Sequence, residues 1–251
     1  MTDFNTPLQH QALDTLGMSI VGVASLDGLR QYLHKDIVGA CEKLDSAVVI
    51  GLHLSPAVTA TVVDHPTLIY KHHYAQLNYL LDRSALQLTE WIMSQGERAV
   101  AQGERAGAEG FLALPIPASQ VVDFAAQVGH FSHRHGAVAA GLGWIGRNNL
   151  FVCPQFGAHV RLATVLTNMP LTPAIPMFDS PSSEHEGCGD CHACVEACPA
   201  NALSMDGYDY DRCYAQLNEF RKLRGIGHHI CGICVRVCKG HNTVRKIVQP
   251  R

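Results

Sequence analysis

Cys188-Gly189-Asp190-Cys191-His192-Ala193-Cys194-Val195-Glu196-Ala197-Cys198-Pro199 is the stretch on which the fold turns. Its two-residue gaps let a tight loop present successive sulfurs to one centre. The three-residue gap before Cys198 begins a helical turn that carries the fourth sulfur away, and Pro199 blocks continuation of the loop. Such a run gives three thiolates to one cuboidal iron–sulfur cluster and lends the fourth to a neighbouring cluster. A second group, Cys231-x2-Cys234-x3-Cys238, is one ligand short, and Cys213, isolated between the groups, completes it. The spacing therefore predicts one [4Fe–4S] cluster on Cys188, Cys191, Cys194 and Cys238. The other falls to Cys198, Cys213, Cys231 and Cys234.

Two other uses of these cysteines fit less well. Structural zinc on the Cys-x2-Cys pairs would not need the third and fourth cysteines followed by proline. Disulfides call for an oxidising compartment, and the N-terminus Met1-Thr2-Asp3-Phe4-Asn5 shows no basic and apolar leader. No apolar run reaches membrane-span length. With a net charge of −3 in 251 residues there is no broad basic field to hold nucleic acid. Reduced thiols, oxygen-sensitive centres and no export signal lead to the expectation of a cytoplasmic protein.

The stretch Asn168 to Gly187 carries Pro170, Pro173, Pro176, Pro181 and several serines, the composition of a linker. We expect an α/β domain over 1–170, a linker over 171–187 and a two-cluster ferredoxin-like module over 188–251. In the first domain, Ser19–Ala24, Ala47–Leu52, Gly110–Pro115, Leu150–Val152 and Val160–Leu166 read as strands, the third ended by Pro115 and Pro117. Thr67 to Met93 reads as a long helix with apolar Leu77, Leu80, Leu81, Leu86, Leu88 and Ile92. His133 to Ala140 reads as a second helix. Mixed elements of this kind imply an α+β layer structure.

Gly141-Leu142-Gly143-Trp144-Ile145-Gly146 matches G-x-G-x-x-G, but a dinucleotide fingerprint must follow a strand and open a helix. Here a helical segment precedes it and a strand-like segment follows. No acidic residue between Arg147 and Phe178 is available for a ribose hydroxyl. Two readings stay open: a glycine turn that lets backbones pack closely, or main chain opened to a large cofactor with Trp144 and Arg147 at its edge.

The order of His135-Gly136-Ala137-Val138-Ala139-Ala140, the glycine motif, Arg147-Asn148-Asn149, Val160-Arg161-Leu162 and the two cysteine groups resembles the epoxyqueuosine reductase family. That family is related to the corrinoid-dependent reductive dehalogenases. The resemblance covers roughly residues 40–245. It implies a nitroreductase-like mixed α/β domain that binds cobalamin, joined to a module with two [4Fe–4S] clusters that feed it electrons. Gly141, Gly143, Trp144, Gly146, Arg147 and Asn148 would then lie at the cofactor. An FMN-dependent reductase, or an electron-transfer protein with no cofactor in its first domain, are the alternatives.

Two features set the chain apart from the tRNA-modifying members. It continues for only 13 residues after Cys238, without their C-terminal helical repeats. Their acidic proton donor precedes the glycine motif, and at that offset this chain has Gln127-Val128-Gly129, with Asp123 the nearest acid. Both put tRNA binding in doubt and point to a small or modified organic substrate. For a proton donor titrating near neutrality, His130 and His133 are the candidates beside Asp123. His135, His72, His73 and Tyr74 are lesser ones. Arg221, Lys222, Arg224, Arg236, Lys239, Arg245 and Lys246 offer a basic face to an acidic electron donor such as a flavodoxin or ferredoxin. Cys41 and Cys153, outside the cluster count, are expected to be small buried hydrophobes.

Overall fold

In a computed structural model of the chain, residues 3–101, 110–123, 128–178, 185–205 and 207–240 are described. They fall into two units, each assembled from separated stretches. The first comprises Met1–Leu52, Asn78–Leu142 and Arg161–Pro176; the second comprises His53–Leu77, Gly143–Val160 and Met177–Arg251.

The first unit is built on a four-stranded sheet of order β1-β2-β6-β3. Its strands are β1 (Ile20–Ser25), β2 (Ser46–His53), β3 (Ala113–Ile116) and β6 (Val160–Thr167). The β1–β2 and β3–β6 pairs are antiparallel, with Ile20 opposite Gly51 and Ala113 opposite Thr167. Seven successive residues of β2 are buried, Ser46 to Leu52, as a central strand covered on both faces requires. The sequence expectation ended the third strand at Pro115, yet β3 runs through it to Ile116. The position explains this: β3 is an edge strand, where a proline need not supply a ladder donor. The mixed α/β architecture with a small antiparallel sheet accords with the expected fold class.

After the short helices α1 (Asn5–His10) and α2 (Pro56–Thr59), helix α3 (Leu68–Ala101) exceeds the expected span. Thr67 starts it, its Oγ1 accepting from the Tyr70 amide at 3.2 Å, which satisfies one of the orphan donors of the first turn. Leu81, Ala85, Leu88 and Ile92 form its buried stripe, at the i, i+4, i+7, i+11 spacing of one helical face. Leu80 and Leu86, counted into the apolar pattern from sequence, are instead exposed. Asp82 ties the helix to the strand region by accepting from the Ala118 amide at 2.7 Å. Helix α4 (His133–Ala139) packs against β1, where Gly22 leaves room: a Cβ there would stand 3.0 Å from Ala140 Cβ.

The second unit holds a two-stranded hairpin of β4 (Trp144–Ile145) and β5 (Phe151–Val152), with Trp144 opposite Val152. It also holds the short helices α5 (Ala193–Ala197) and α7 (Ile233–Val237) and the longer α6 (Tyr210–Lys222). Asp209 caps α6, its carboxylate accepting from the Arg212 amide at 3.0 Å. One core of this unit gathers Leu54, Val62, Tyr70, Phe220, Ile226, Ile230 and Ile233. A second gathers Trp144, Val152 and Ala158, with Phe178, Cys188 and Cys238 against it. The linker expected over 171–187 is described only in part, since residues 179–184 lie outside the described ones.

Candidate metal centre

All eight cysteines of the two groups lie in the second unit, and none of the ten cysteines of the chain is in a disulfide. Helices α5 and α7 present four of them in a repeated pattern. Each helix is five residues long, carries a cysteine at its second position and is closed by a cysteine in extended conformation. In α5 these are Cys194 and Cys198; in α7 they are Cys234 and Cys238. The amide of each closing cysteine bonds back into its helix, Cys198 to Val195 and Cys238 to Val235. A single turn thus separates the two sulfurs of each helix and aims them differently.

The electrostatic neighbours of Cys194, Cys238, Cys231 and Cys234 fall into two groups that meet at Cys234. Burial pushes Cys194 up to about 11, with Cys238, Cys188 and Cys191 adding to the shift. Cys238 is raised by burial and by Cys188 and Cys191. Burial likewise pushes Cys231 up to about 11, reinforced by Cys213 and Cys198. Cys234 is driven well above the ordinary thiol range by burial and by Cys231, Cys194, Cys213 and Cys198. Cys194 in that last set brings the two groups into mutual range. Thiols crowded and buried in this way resist ionising by themselves, and a cation centre shared among them reverses that cost.

Donors to sulfur complete the setting. The indole Nε1 of Trp144 donates to Cys188 Sγ at 3.4 Å, and the Ala202 amide to Cys198 Sγ at 3.4 Å. The Tyr208 hydroxyl bonds to the Cys213 thiol; burial raises the tyrosine strongly, and this bond and the nearby thiols add to it. Tyr208 was not singled out from sequence, where a lone tyrosine five residues before a cysteine carries no signal. Among the described residues no three of His, Cys, Asp and Glu gather tightly enough for a single metal ion. Thiolates of a cuboidal cluster each take a different iron and stand further apart than the ligands of one ion. The donor set and its sulfur hydrogen bonds fit such clusters, with Cys194 buried, Cys191 exposed and the other six thiols half-buried.

From Gly143 onward the glycine motif belongs to this same unit, while Gly141 and Leu142 belong to the first. A Cβ on Gly143 would stand 2.0 Å from the Val152 carbonyl oxygen, and one on Gly146 2.7 Å from Val152 Cγ2. Gly141, at φ +68°, turns the chain close to the Ile175 carbonyl. Arg147 donates to the carbonyls of Gly189 at 2.8 Å and Cys191 at 3.3 Å, holding the first cysteine loop. Asn148 is buried, with Oδ1 accepting from Leu150 and Nδ2 without a partner among the described residues. Of the two open readings of the motif, the geometry displays close backbone packing. Atoms of the chain itself stand where side chains on these glycines would go.

Of the proposed proton donors, Asp123, His130, His133 and His135 lie in the first unit. His133 donates from Nε2 to the Pro117 carbonyl at 2.9 Å, so its Nδ1 accepts from the Thr164 hydroxyl at 2.7 Å. Burial lowers it to about 4, and Arg161 adds to the lowering. His135 stacks on Tyr32 at 3.9 Å and is lowered to about 4, chiefly by burial. The His130 carbonyl accepts from the His34 amide at 2.8 Å, and its ring meets the His34 ring edge-on. Asp123 is exposed and bridges to Val128 through the backbone; Gln127 lies outside the described residues. His73, in the second unit, accepts from the Ser55 amide at 3.0 Å. Cys41 and Cys153 are fully buried. Arg221, Lys222 and Arg224 are exposed, whereas Arg245 and Lys246 lie outside the described residues. Among the described residues no helix is long and apolar enough to cross a membrane.

No family model matches the chain. An epoxyqueuosine reductase of Bacillus anthracis is 34% identical over 119 residues, 44% of this chain and 30% of the relative. A tetrachloroethene reductive dehalogenase of Sulfurospirillum multivorans is 34% identical over 113 residues, 41% of this chain and 22% of the relative. The matched stretch thus spans less than a third of either curated relative. Among solved structures, an epoxyqueuosine reductase bound to an epoxyqueuosine-modified tRNA-Tyr stem loop superposes with a TM-score of 0.59 at 21% identity. That match covers 94% of this chain and 66% of that one. A reductive dehalogenase, solved in a study of B12-dependent dehalogenation, gives 0.59 at 16% identity, covering 88% of this chain and 30% of that one. The chain is therefore similar to the epoxyqueuosine reductases and the reductive dehalogenases, in sequence over a little under half its length and in fold over nearly all of it.

Proposed function

We propose that the chain is an iron–sulfur reductase that passes electrons through two [4Fe–4S] clusters to a reducible organic substrate. One observation supports the reading: eight free thiols lie in one unit, four of them on or closing the matching short helices α5 and α7, Cys194 and Cys198 on the first and Cys234 and Cys238 on the second. Cys188, Cys191, Cys194 and Cys238 would hold the first cluster; Cys198, Cys213, Cys231 and Cys234 would hold the second. The clusters supply one-electron transfer. The chain's own part is to hold the cysteine loops with Arg147, exclude water with the Trp144 and Tyr70 cores, and bond the sulfurs. The exposed Arg221 and Lys222 end the helix that carries Cys213, and the exposed Arg224 follows just beyond it. They suit an acidic donor such as a flavodoxin or ferredoxin.

Corrinoid chemistry comes to this reading from the dehalogenase likeness, with Gly141, Gly143, Trp144, Gly146, Arg147 and Asn148 as its proposed contacts; Asn148 Nδ2 is a buried donor without a partner among the described residues. The stem-loop complex likewise raises a modified tRNA as one substrate to test beside small epoxides and organohalides. The deciding experiment is anaerobic purification from cytoplasm, followed by assay of iron, acid-labile sulfide and cobalt. About eight irons per chain are expected for two four-iron clusters. Iron-free or zinc-only protein would overturn the proposal, and cobalt content decides the corrinoid.

A further inference from the structure

The indole of Trp144 is placed more tightly than space-filling requires. The residue is 2% exposed and fixed by pairing with Val152 across the β4–β5 hairpin. Phe178 meets its ring edge-on at 6.2 Å. On the other side the chain just before Cys188 lies directly on the ring. A Cβ on Gly187 would stand 2.2 Å from Trp144 Cδ2, so no other residue could be accommodated there. This packing delivers one polar contact, Nε1–H to Cys188 Sγ at 3.4 Å. Arg147, three residues on, grips the carbonyls of Gly189 and Cys191 and so fixes the loop that carries the acceptor.

A hydrogen bond to a cluster sulfur stabilises the reduced, more negative state over the oxidised one, and it does so most where water cannot compete. We propose that Trp144 is a positioning residue that raises the reduction potential of the cluster held by Cys188, Cys191, Cys194 and Cys238. The other cluster is left untouched. The inference rests on the two-cluster reading. It adds to it a specific task for the tryptophan of the glycine motif, setting the two clusters at different potentials.

The test is a dithionite titration of the anaerobic protein, followed by electron paramagnetic resonance, with iron counted on each sample. Trp144→Phe keeps the ring and removes the donor. It should lower one of the two potentials, by up to about tenfold in the electron's equilibrium constant or about 59 mV for a one-electron couple. The second potential and the iron content should stay as in the parent. Since the chain has two tryptophans, a Trp91→Phe background makes Trp144 the only site for 5-fluorotryptophan. The more acidic N–H should raise the same potential with the shape unchanged, and this arm decides the matter if Trp144→Phe loses iron. Iron-loaded protein whose potentials ignore the fluorinated ring, or move together, would overturn the inference. Iron-free parent protein would instead sink the cluster reading itself.

Discussion

At the scale of single residues, His133 couples the stability of the fold to pH. Both its nitrogens are engaged, with Pro117 and Thr164, and burial holds it near 4. The unfolded histidine, near 6.5, binds its proton first as pH falls. The folded state therefore loses stability between about pH 6.5 and 4, and the loss levels off below. The shift corresponds to about 3 kcal/mol over that window. Urea midpoints of the parent should drop between pH 7 and pH 5, whereas His133→Asn should be less stable at pH 7 and flatter with pH. Losing two partnered contacts in a buried site costs about 1–3 kcal/mol. A steep parent-like pH profile in the variant would assign the acid sensitivity elsewhere, His135 being the next group to examine. Cys213→Ala makes a second test at this scale. Iron should fall from about eight to about four per chain with one signal retained, and unchanged iron would refute the proposed ligand set.

Elements were legible where periodicity and burial agree, and illegible where tertiary packing decides. Strands β1, β2 and β6 and helices α3 and α4 follow from apolar runs and spacing, because each buries a long face. In the hairpin, β5 follows from the apolar run Leu150–Val152, whereas β4 does not, since two residues present no period at all. Its signal was the glycine motif, which sequence reasoning could assign only to backbone packing or to a cofactor. Steric demand now separates the glycines. Gly143→Ala would push a methyl into the Val152 carbonyl at 2.0 Å, while Gly28→Ala meets nothing within 4 Å. Overpacking of this kind costs about 1–3 kcal/mol, and here the struck atom is backbone, which cannot rotate away. Thermal melts should show Gly143→Ala markedly destabilised, with cluster absorbance reduced because Trp144 moves with the strand. Gly28→Ala should melt within a degree or so of the parent, as an unstrained Gly→Ala change in open space allows.

For the whole molecule, the informative fact is that the cysteine-bearing unit is not a C-terminal segment. It recruits His53–Leu77 and Gly143–Val160 across long stretches of intervening chain. Composition could mark Asn168 to Gly187 as a linker, but it carries no record of which distant segments share a core. The physical reason for the recruitment is size. A cysteine module of about 65 residues has little apolar surface of its own, and here Leu54, Val62 and Tyr70 supply three of the seven buried residues of one core and Trp144 and Val152 most of another. Cluster binding and the folding of all three stretches should therefore be a single event, since ligands gathered from separate segments make metal affinity into folding free energy. Hydrogen exchange before and after iron removal under anaerobic conditions tests this. Amides of 53–77, 143–160 and 185–240 should lose protection together, while those of β1 and of β6 from residue 161 onward keep theirs. Loss confined to 185–240 would mean that the earlier segments fold independently of the metal, and uniform loss would mean that the sheet of the first unit depends on it too.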